Sequence, residues 1–192
     1  PQPLRRVRPR RFGESGDDYS LETVYTSRGC LGRCGFCANH LVHGRWRARS
    51  PENVMQELTA LHDPRRRKAL YFWDADFLTD IARAERIFDL ILEQRLRSFR
   101  IVLEARVDDV LRAESILDKM ARAGVAAVNL GIETPSDETL RLLGKGTTSD
   151  QTRRAVGALK RRGIHPRGYF MLGGPGEAPD DVERFPAFAE SI

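Results

Sequence analysis

The chain has 192 residues, 41% of them hydrophobic and 31% charged, with a formal net charge of +5. That is enough apolar material for one domain with its own core. No apolar run approaches the roughly 20 residues a membrane-spanning helix needs, and nothing resembles a signal peptide. The cysteines, three in all and confined to one short loop, argue against a secreted disulfide framework and place the chain in a reducing cytoplasm.

Residues 1–20 are rich in Pro, Arg, Gly and Asp and read as a linker or arm. Its run RRVRPRR (Arg5 to Arg11), like RRRK (Arg65 to Lys68), offers positive charge to phosphate or simply to water. From Leu21 onward, short apolar runs alternate with helical patterns. LETVYTS (Leu21 to Ser27) alternates and is β-branched, so it reads as a strand. Ser50 with Pro51 starts a helix that places Val54, Met55, Leu58 and Leu61 on one face. KALYFWDADF (Lys68 to Phe77) is a second strand with an acidic end. Thr79 is the expected cap of a helix carrying Ile81, Ala84, Phe88 and Ile91.

RIVLEARVDD (Arg100 to Asp109) gives a third strand, followed by one helix through Leu111, Leu117 and Met120 that stops at Gly124. VAAVNLGIET (Val125 to Thr134) is a fourth strand. Thr148 and Gln151 have capping-box spacing ahead of a helix that ends near Gly163. HPRGYFMLGGPG (His165 to Gly176) is a fifth strand with a Gly-rich turn, and a last helix begins near Pro179. Strands alternating with helices imply right-handed βαβ units and a parallel α/β sheet. In such folds functional groups sit at the carboxyl ends of the strands. Those ends hold Cys30 to Cys37, Asp74 and Asp76, Glu104 to Arg106, Glu133, and Gly173 to Gly176.

The loop SRGCLGRCGFCANH (Ser27 to His40) carries Cys30, Cys34 and Cys37 at C-x3-C-x2-C spacing. His40 or His43 could complete a Cys3His zinc site. Cys34 with Cys37 would make a redox pair, but would leave Cys30 without a role. Three thiolates can also hold a [4Fe–4S] cluster with one iron open to a substrate or cosubstrate.

This spacing directly after a first strand, with Phe36 before the last cysteine, resembles the cluster loop of the radical S-adenosylmethionine (radical SAM) enzymes. YFWDADF is similar to the family's acidic second-strand end, NLGIET to its G-I-E-S strand, and YFMLGGPGE to its F-x-x-G-x-P-G-E strand. In detail the chain looks most like the branch in which the radical domain follows a cobalamin-binding domain.

The resemblance implies a partial TIM-like (β/α)6 barrel over residues 21–192. Five of the usual six βα units are present, so the chain is expected to be a piece of a larger protein. It implies that Cys30, Cys34 and Cys37 hold a [4Fe–4S] cluster whose open iron is chelated by S-adenosylmethionine (SAM). Reduction then cleaves SAM to a 5′-deoxyadenosyl radical. Phe36 is expected near the adenine, unless it is a plain core aromatic. Asp74 or Asp76 is expected at the SAM ammonium, unless one of them only caps the helix at Thr79. Glu133 is expected toward the ribose or the SAM carboxylate with Arg106 nearby, or else in an ion pair with Arg106. Gly173 and Gly174 would let the backbone approach the adenine, or merely form a tight turn.

Three functions remain open at this point. The first is a radical SAM enzyme performing cobalamin-dependent methyl transfer or rearrangement, with cobalamin bound by an upstream domain. The second is an RNA-modifying radical SAM enzyme such as a methylthiotransferase, which the basic runs favour. The third is a non-catalytic zinc- or cluster-bound module. The implied partners are a small-molecule or peptide substrate and a reductant protein such as flavodoxin or ferredoxin.

Overall fold

The computed structural model describes residues 20–192. The expected arm therefore lies outside the described residues, except for Ser20, the first residue of a strand. The main sheet is built from β1 (Ser20–Val24), β4 (Lys68–Phe72), β5 (Phe99–Arg106), β6 (Val125–Glu133) and β7 (His165–Phe170). All four neighbouring pairs are parallel and the spatial order is β1-β4-β5-β6-β7. Each strand of the sheet thus lies beside its successor, which gives the parallel sheet expected from the alternation and is consistent with the five-unit partial barrel implied by the resemblance. A two-residue antiparallel ladder, β2 (Ser27–Arg28) with β3 (Arg47–Ala48), closes off the cysteine loop at its base.

The helices are α1 (Asn39–His43), α2 (Pro51–Leu61), α3 (Ile81–Glu93), α4 (Val107–Arg112), α5 (Leu117–Arg122), α6 (Asp137–Leu142), α7 (Ser149–Arg161) and α8 (Arg184–Ser191). Phe72, Ile101, Leu103, Val128 and Leu130 from the strands join Ile87, Phe88, Leu117, Met120, Val156 and Leu159 from the helices in one continuous core. The helices begin where local chemistry satisfies their first N–H groups. Ser50 caps α2 by accepting from Asn53 N–H, and Thr148 and Gln151 form the reciprocal capping box of α7.

Several boundaries differ from the sequence expectation. Asp80, not Thr79, caps α3, its carboxylate accepting from Arg83 N–H at 3.0 Å. Thr79 belongs instead to a 3-10 turn, Phe77–Thr79, capped by Asp76. The third strand ends at Arg106 because Asp108 and Asp109 occupy the first turn of a helix, where acidic side chains favour the positive end of the dipole. The single helix expected through Met120 is divided into α4 and α5 by a 3-10 turn, Glu114–Ile116. Pro179 opens another 3-10 turn, and the last helix itself starts at Arg184.

Candidate active site

Three loops converge on the cysteines. Val24 ends β1, and Thr26 and Ser27 just beyond it are tied to the end of β4 by Asp74. The Asp74 carboxylate accepts from Thr26 N–H at 2.7 Å and Ser27 N–H at 2.9 Å, and also from the Thr26 hydroxyl. Arg83, on α3, binds the other side of this crossing by donating to the carbonyls of Thr26 at 2.7 Å and Arg49 at 2.8 Å. The start of the cysteine loop is thereby fixed to the sheet before the first thiol.

Cys34 is buried, while Cys30 and Cys37 are partly exposed. The Cys30 thiolate position receives Gly32 N–H at 3.2 Å, and Cys34 Sγ receives Arg106 Nη1 at 3.2 Å. Burial pushes the Cys30 thiol up from its ordinary range, opposed by the Gly32 amide and the Arg106 charge. Gly35 N–H donates to the Leu143 carbonyl at 2.8 Å, docking the loop on the segment after α6.

Arg106 is the hub of this arrangement. Its guanidinium donates to Asp108 at 3.0 and 3.2 Å and to the Lys145 carbonyl at 2.7 Å, besides Cys34. Burial works against its charge, but the paired Asp108 carboxylate outweighs this and holds it firmly cationic. The expected Arg106–Glu133 ion pair is not formed. Glu133 pairs instead with Lys145, Nζ to Oε1 at 2.7 Å, with both side chains nearly buried. Lys145 also stands 6.0 Å from the centre of the Phe36 ring, which is itself 44% exposed.

The backbone is unusual at this edge. The pairing of β6 with β7 slips between Gly131 and Glu133, and Glu133 adopts a φ of +67°. Bulges and left-handed non-glycine residues gather where a side chain must be re-aimed; here they aim Glu133 toward Lys145. Gly131 leaves room for both, since a Cβ there would stand 2.6 Å from Glu133 Oε1 and from Lys145 Nζ.

Asp76 is buried, with Oδ1 accepting from Leu78 N–H at 3.1 Å and Oδ2 lacking a conventional donor. Burial pushes its carboxyl well above the usual range, and the adjoining Asp109 carboxyl adds to the rise. Gly173 and Gly174 turn the chain after β7, and both N–H groups donate to Glu177 Oε2, at 3.1 and 2.9 Å. The other Glu177 oxygen accepts from the Thr134 hydroxyl at 2.6 Å, so this carboxylate clamps the Gly-rich turn to the end of β6.

Away from the apolar core, Tyr71, Asn129 and Tyr169 converge on Glu104. All three donate to its Oε1: Tyr71 hydroxyl, Asn129 Nδ2 at 3.1 Å and Tyr169 hydroxyl at 3.4 Å. Burial and the neighbouring carboxylate push the Tyr71 phenol far up. Glu104 Oε2 has no hydrogen-bond or ion-pair partner among the described residues. It borders a cleft of about 370 Å3 shared with Asp74, Trp73, Tyr25 and His43. Glu104 is marked by the sequence only as one of the strand-end groups, without a role; Lys145 and Glu177 are the polar residues that sequence reasoning did not single out. Lys145 had a signal in G-K-G after a short helix, and Glu177 in the quoted G-G-P-G-E.

Among the described residues, no three His, Cys, Asp or Glu side chains gather around one point as ligands of a single metal ion. The thiolates of a cubane each bind a separate iron, and the donors to Cys30 and Cys34 supply the hydrogen bonds such thiolates take. The donor set and its surroundings fit a [4Fe–4S] cluster.

Comparison with known proteins agrees with this chemistry. The Radical SAM superfamily model matches residues 24–189, and the chain belongs to that family. Cluster binding and SAM cleavage are typical of it. An uncharacterized methyltransferase of Pyrococcus horikoshii is 34% identical over 177 residues, covering 92% of this chain and 38% of the relative. The cobalamin-dependent SAM radical enzyme OxsB, with aqua-cobalamin and SAM bound, superposes with a TM-score of 0.74 at 26% identity, over 86% of this chain and 26% of that one. The radical SAM methyltransferase TsrM of Kitasatospora setae, with cobalamin and a [4Fe–4S] cluster, gives 0.74 at 25% identity, over 88% and 35%. The chain therefore spans well under half the length of these relatives. No described helix is long and apolar enough to cross a membrane.

Proposed function

We propose that this domain holds a [4Fe–4S] cluster through Cys30, Cys34 and Cys37 and cleaves SAM in the service of cobalamin-dependent methyl transfer. The observation that carries this reading is the C-x3-C-x2-C loop itself, pinned between Asp74, Arg106 and Leu143 at the carboxyl edge of the sheet. When bound and reduced, the cluster supplies the electron that breaks the carbon–sulfur bond of SAM. The choice of methyl transfer over rearrangement rests on the relatives, two of which are methyltransferases by name.

The protein's own part is binding and orientation. A SAM ammonium needs an accepting carboxylate. Asp74 borders the cleft, but both its oxygens are engaged with Thr26 and Ser27. Asp76 lies against Asp109. Glu104, with Oε2 free of any described partner and three neutral donors fixing Oε1, is the carboxylate we assign to the ammonium. The Lys145 ammonium is the cation for the SAM carboxylate, with Glu133 beside it toward the ribose and Phe36 toward the adenine. Gly173 and Gly174, fixed by Glu177, form the far wall. The reductant is a small electron-transfer protein of the flavodoxin or ferredoxin type, and the substrate a small molecule or peptide.

The test is anaerobic reconstitution of the chain followed by iron and sulfide analysis and a search for 5′-deoxyadenosine and S-adenosylhomocysteine after reduction. About four irons and four sulfides per chain, with SAM turned over, support the reading. Zinc held in place of iron overturns it.

A further inference from the structure

The reading above accounts for the three thiols but leaves Arg106 without a task. Its guanidinium does not face Glu133. Its Nη1 lies 3.2 Å from Cys34 Sγ, while Nε and Nη2 are held by the Asp108 carboxylate at 3.0 and 3.2 Å. The side chain is 14% exposed, so this charge acts in a poorly screened setting. Gly32 makes the approach possible: a Cβ at Gly32 would stand 2.5 Å from Arg106 Nη1. A glycine in the cysteine loop, a carboxylate on α4 and a strand-end arginine thus combine to place one charged donor on one of the three sulfurs.

We propose that Arg106, oriented by Asp108 and admitted by Gly32, is a positioning residue that raises the reduction potential of the cluster through its bond to Cys34. The inference rests on the cluster assignment made above. Its logic is electrostatic. Reduction adds one negative charge to the cluster and its thiolates, and a charge-assisted donor on a ligating sulfur favours the more negative state. The bidentate Asp108 contact fixes the direction of the fork, so the Nη1 donor does not have to be recruited during reduction. The bond to the Lys145 carbonyl, 2.7 Å, supports the guanidinium from the opposite loop.

The test is a potentiometric titration, followed by electron paramagnetic resonance, of the reconstituted full chain and four variants. Arg106→Gln removes the charge. Gly32→Ala crowds Arg106 Nη1 while keeping Arg106, Asp108 and Cys34 themselves, and because its Cβ also approaches Cys30 Sγ at 3.3 Å it is read together with Asp108→Asn. Asp108→Asn loosens the fork, and Arg106→Lys keeps a charge without the fork. With iron content equal to wild type, Arg106→Gln and Gly32→Ala are expected to lower the reduced-to-oxidised ratio at a fixed potential by about tenfold, a fall of ~59 mV for a one-electron couple. Asp108→Asn and Arg106→Lys are expected to fall between these and wild type. Should Arg106→Gln fail to retain iron, Gly32→Ala and Asp108→Asn carry the decision, because both keep the arginine. Wild-type potentials in iron-replete Gly32→Ala and Asp108→Asn overturn the proposal while leaving the cluster assignment intact. Failure of the wild-type chain to hold iron overturns both.

Discussion

Lys145 and Glu133 form an ion pair at 2.7 Å in the interior of the carboxyl edge, with Gly131 providing the space between them. Neither side chain is more than about a tenth exposed. Removing one partner from such a pair leaves an uncompensated buried charge, which typically costs about 3–5 kcal/mol. Lys145→Met and Glu133→Gln are each expected to lower unfolding stability by about that amount, and the double variant by less than the sum. Urea titration of the three variants measures this. Single variants within about 0.5 kcal/mol of wild type would mean the pair is solvated rather than buried.

Asp74 is expected to act on the loop before it acts on any ligand. Asp74→Ala strands Thr26 N–H, Ser27 N–H and the neighbouring Arg83 charge, a loss of about 3 kcal/mol or more. Asp74→Asn, which keeps one acceptor, should lose less. Thermal unfolding with and without SAM separates the roles. A purely ligand-facing aspartate would leave the unliganded midpoint unchanged.

Asp76 gives a pH signature. Its carboxyl titrates above the ordinary value in the folded chain because of burial and the Asp109 carboxyl. A raised carboxyl stabilises the fold below its unfolded pKa, and that contribution is lost as pH rises through the folded value. Asp76→Asn keeps the acceptor for Leu78 N–H and removes the titration. The variant is therefore expected to gain stability relative to wild type as pH increases, measured by urea midpoints across the acid-to-neutral range. A difference that is flat with pH would contradict the buried-pair account.

The alternation of strands and helices, and the order β1-β4-β5-β6-β7 that follows from short connections, were legible in the sequence. So were the capping box at Thr148 and the Ser50–Pro51 start, because each is a local rule with one solution. The helix α6 had its signals too: Ser136 accepting from Thr139 N–H, acids at Asp137 and Glu138, and Gly144 just beyond. At six residues it is too short for hydrophobic periodicity to mark it. What the sequence could not supply was partnership across the sheet edge. Arg106 could face Glu133 or the cysteines with equal local logic. The choice is made by the slip between β6 and β7, which turns Glu133 toward Lys145, and by Gly32, which opens the way to Cys34.

Glu104 is the strongest residue-level consequence of that tertiary arrangement. Glu104→Gln retains an acceptor for the Tyr71 and Asn129 donors but removes the charge. It is expected to weaken SAM binding about tenfold, the equivalent of ~1.4 kcal/mol for one charge-assisted bond, with thermal stability near wild type. Equilibrium binding of SAM to the reconstituted chain measures it. An unchanged affinity would move the ammonium site elsewhere in the cleft.

The most direct measurement is electron paramagnetic resonance of the anaerobically reconstituted, dithionite-reduced chain, recorded with and without SAM. The account predicts a [4Fe–4S] signal that shifts when SAM is added, because the three thiolates of Cys30, Cys34 and Cys37 leave one iron open to the cosubstrate. A cluster signal indifferent to SAM, or a protein that takes up zinc and no iron, would contradict it.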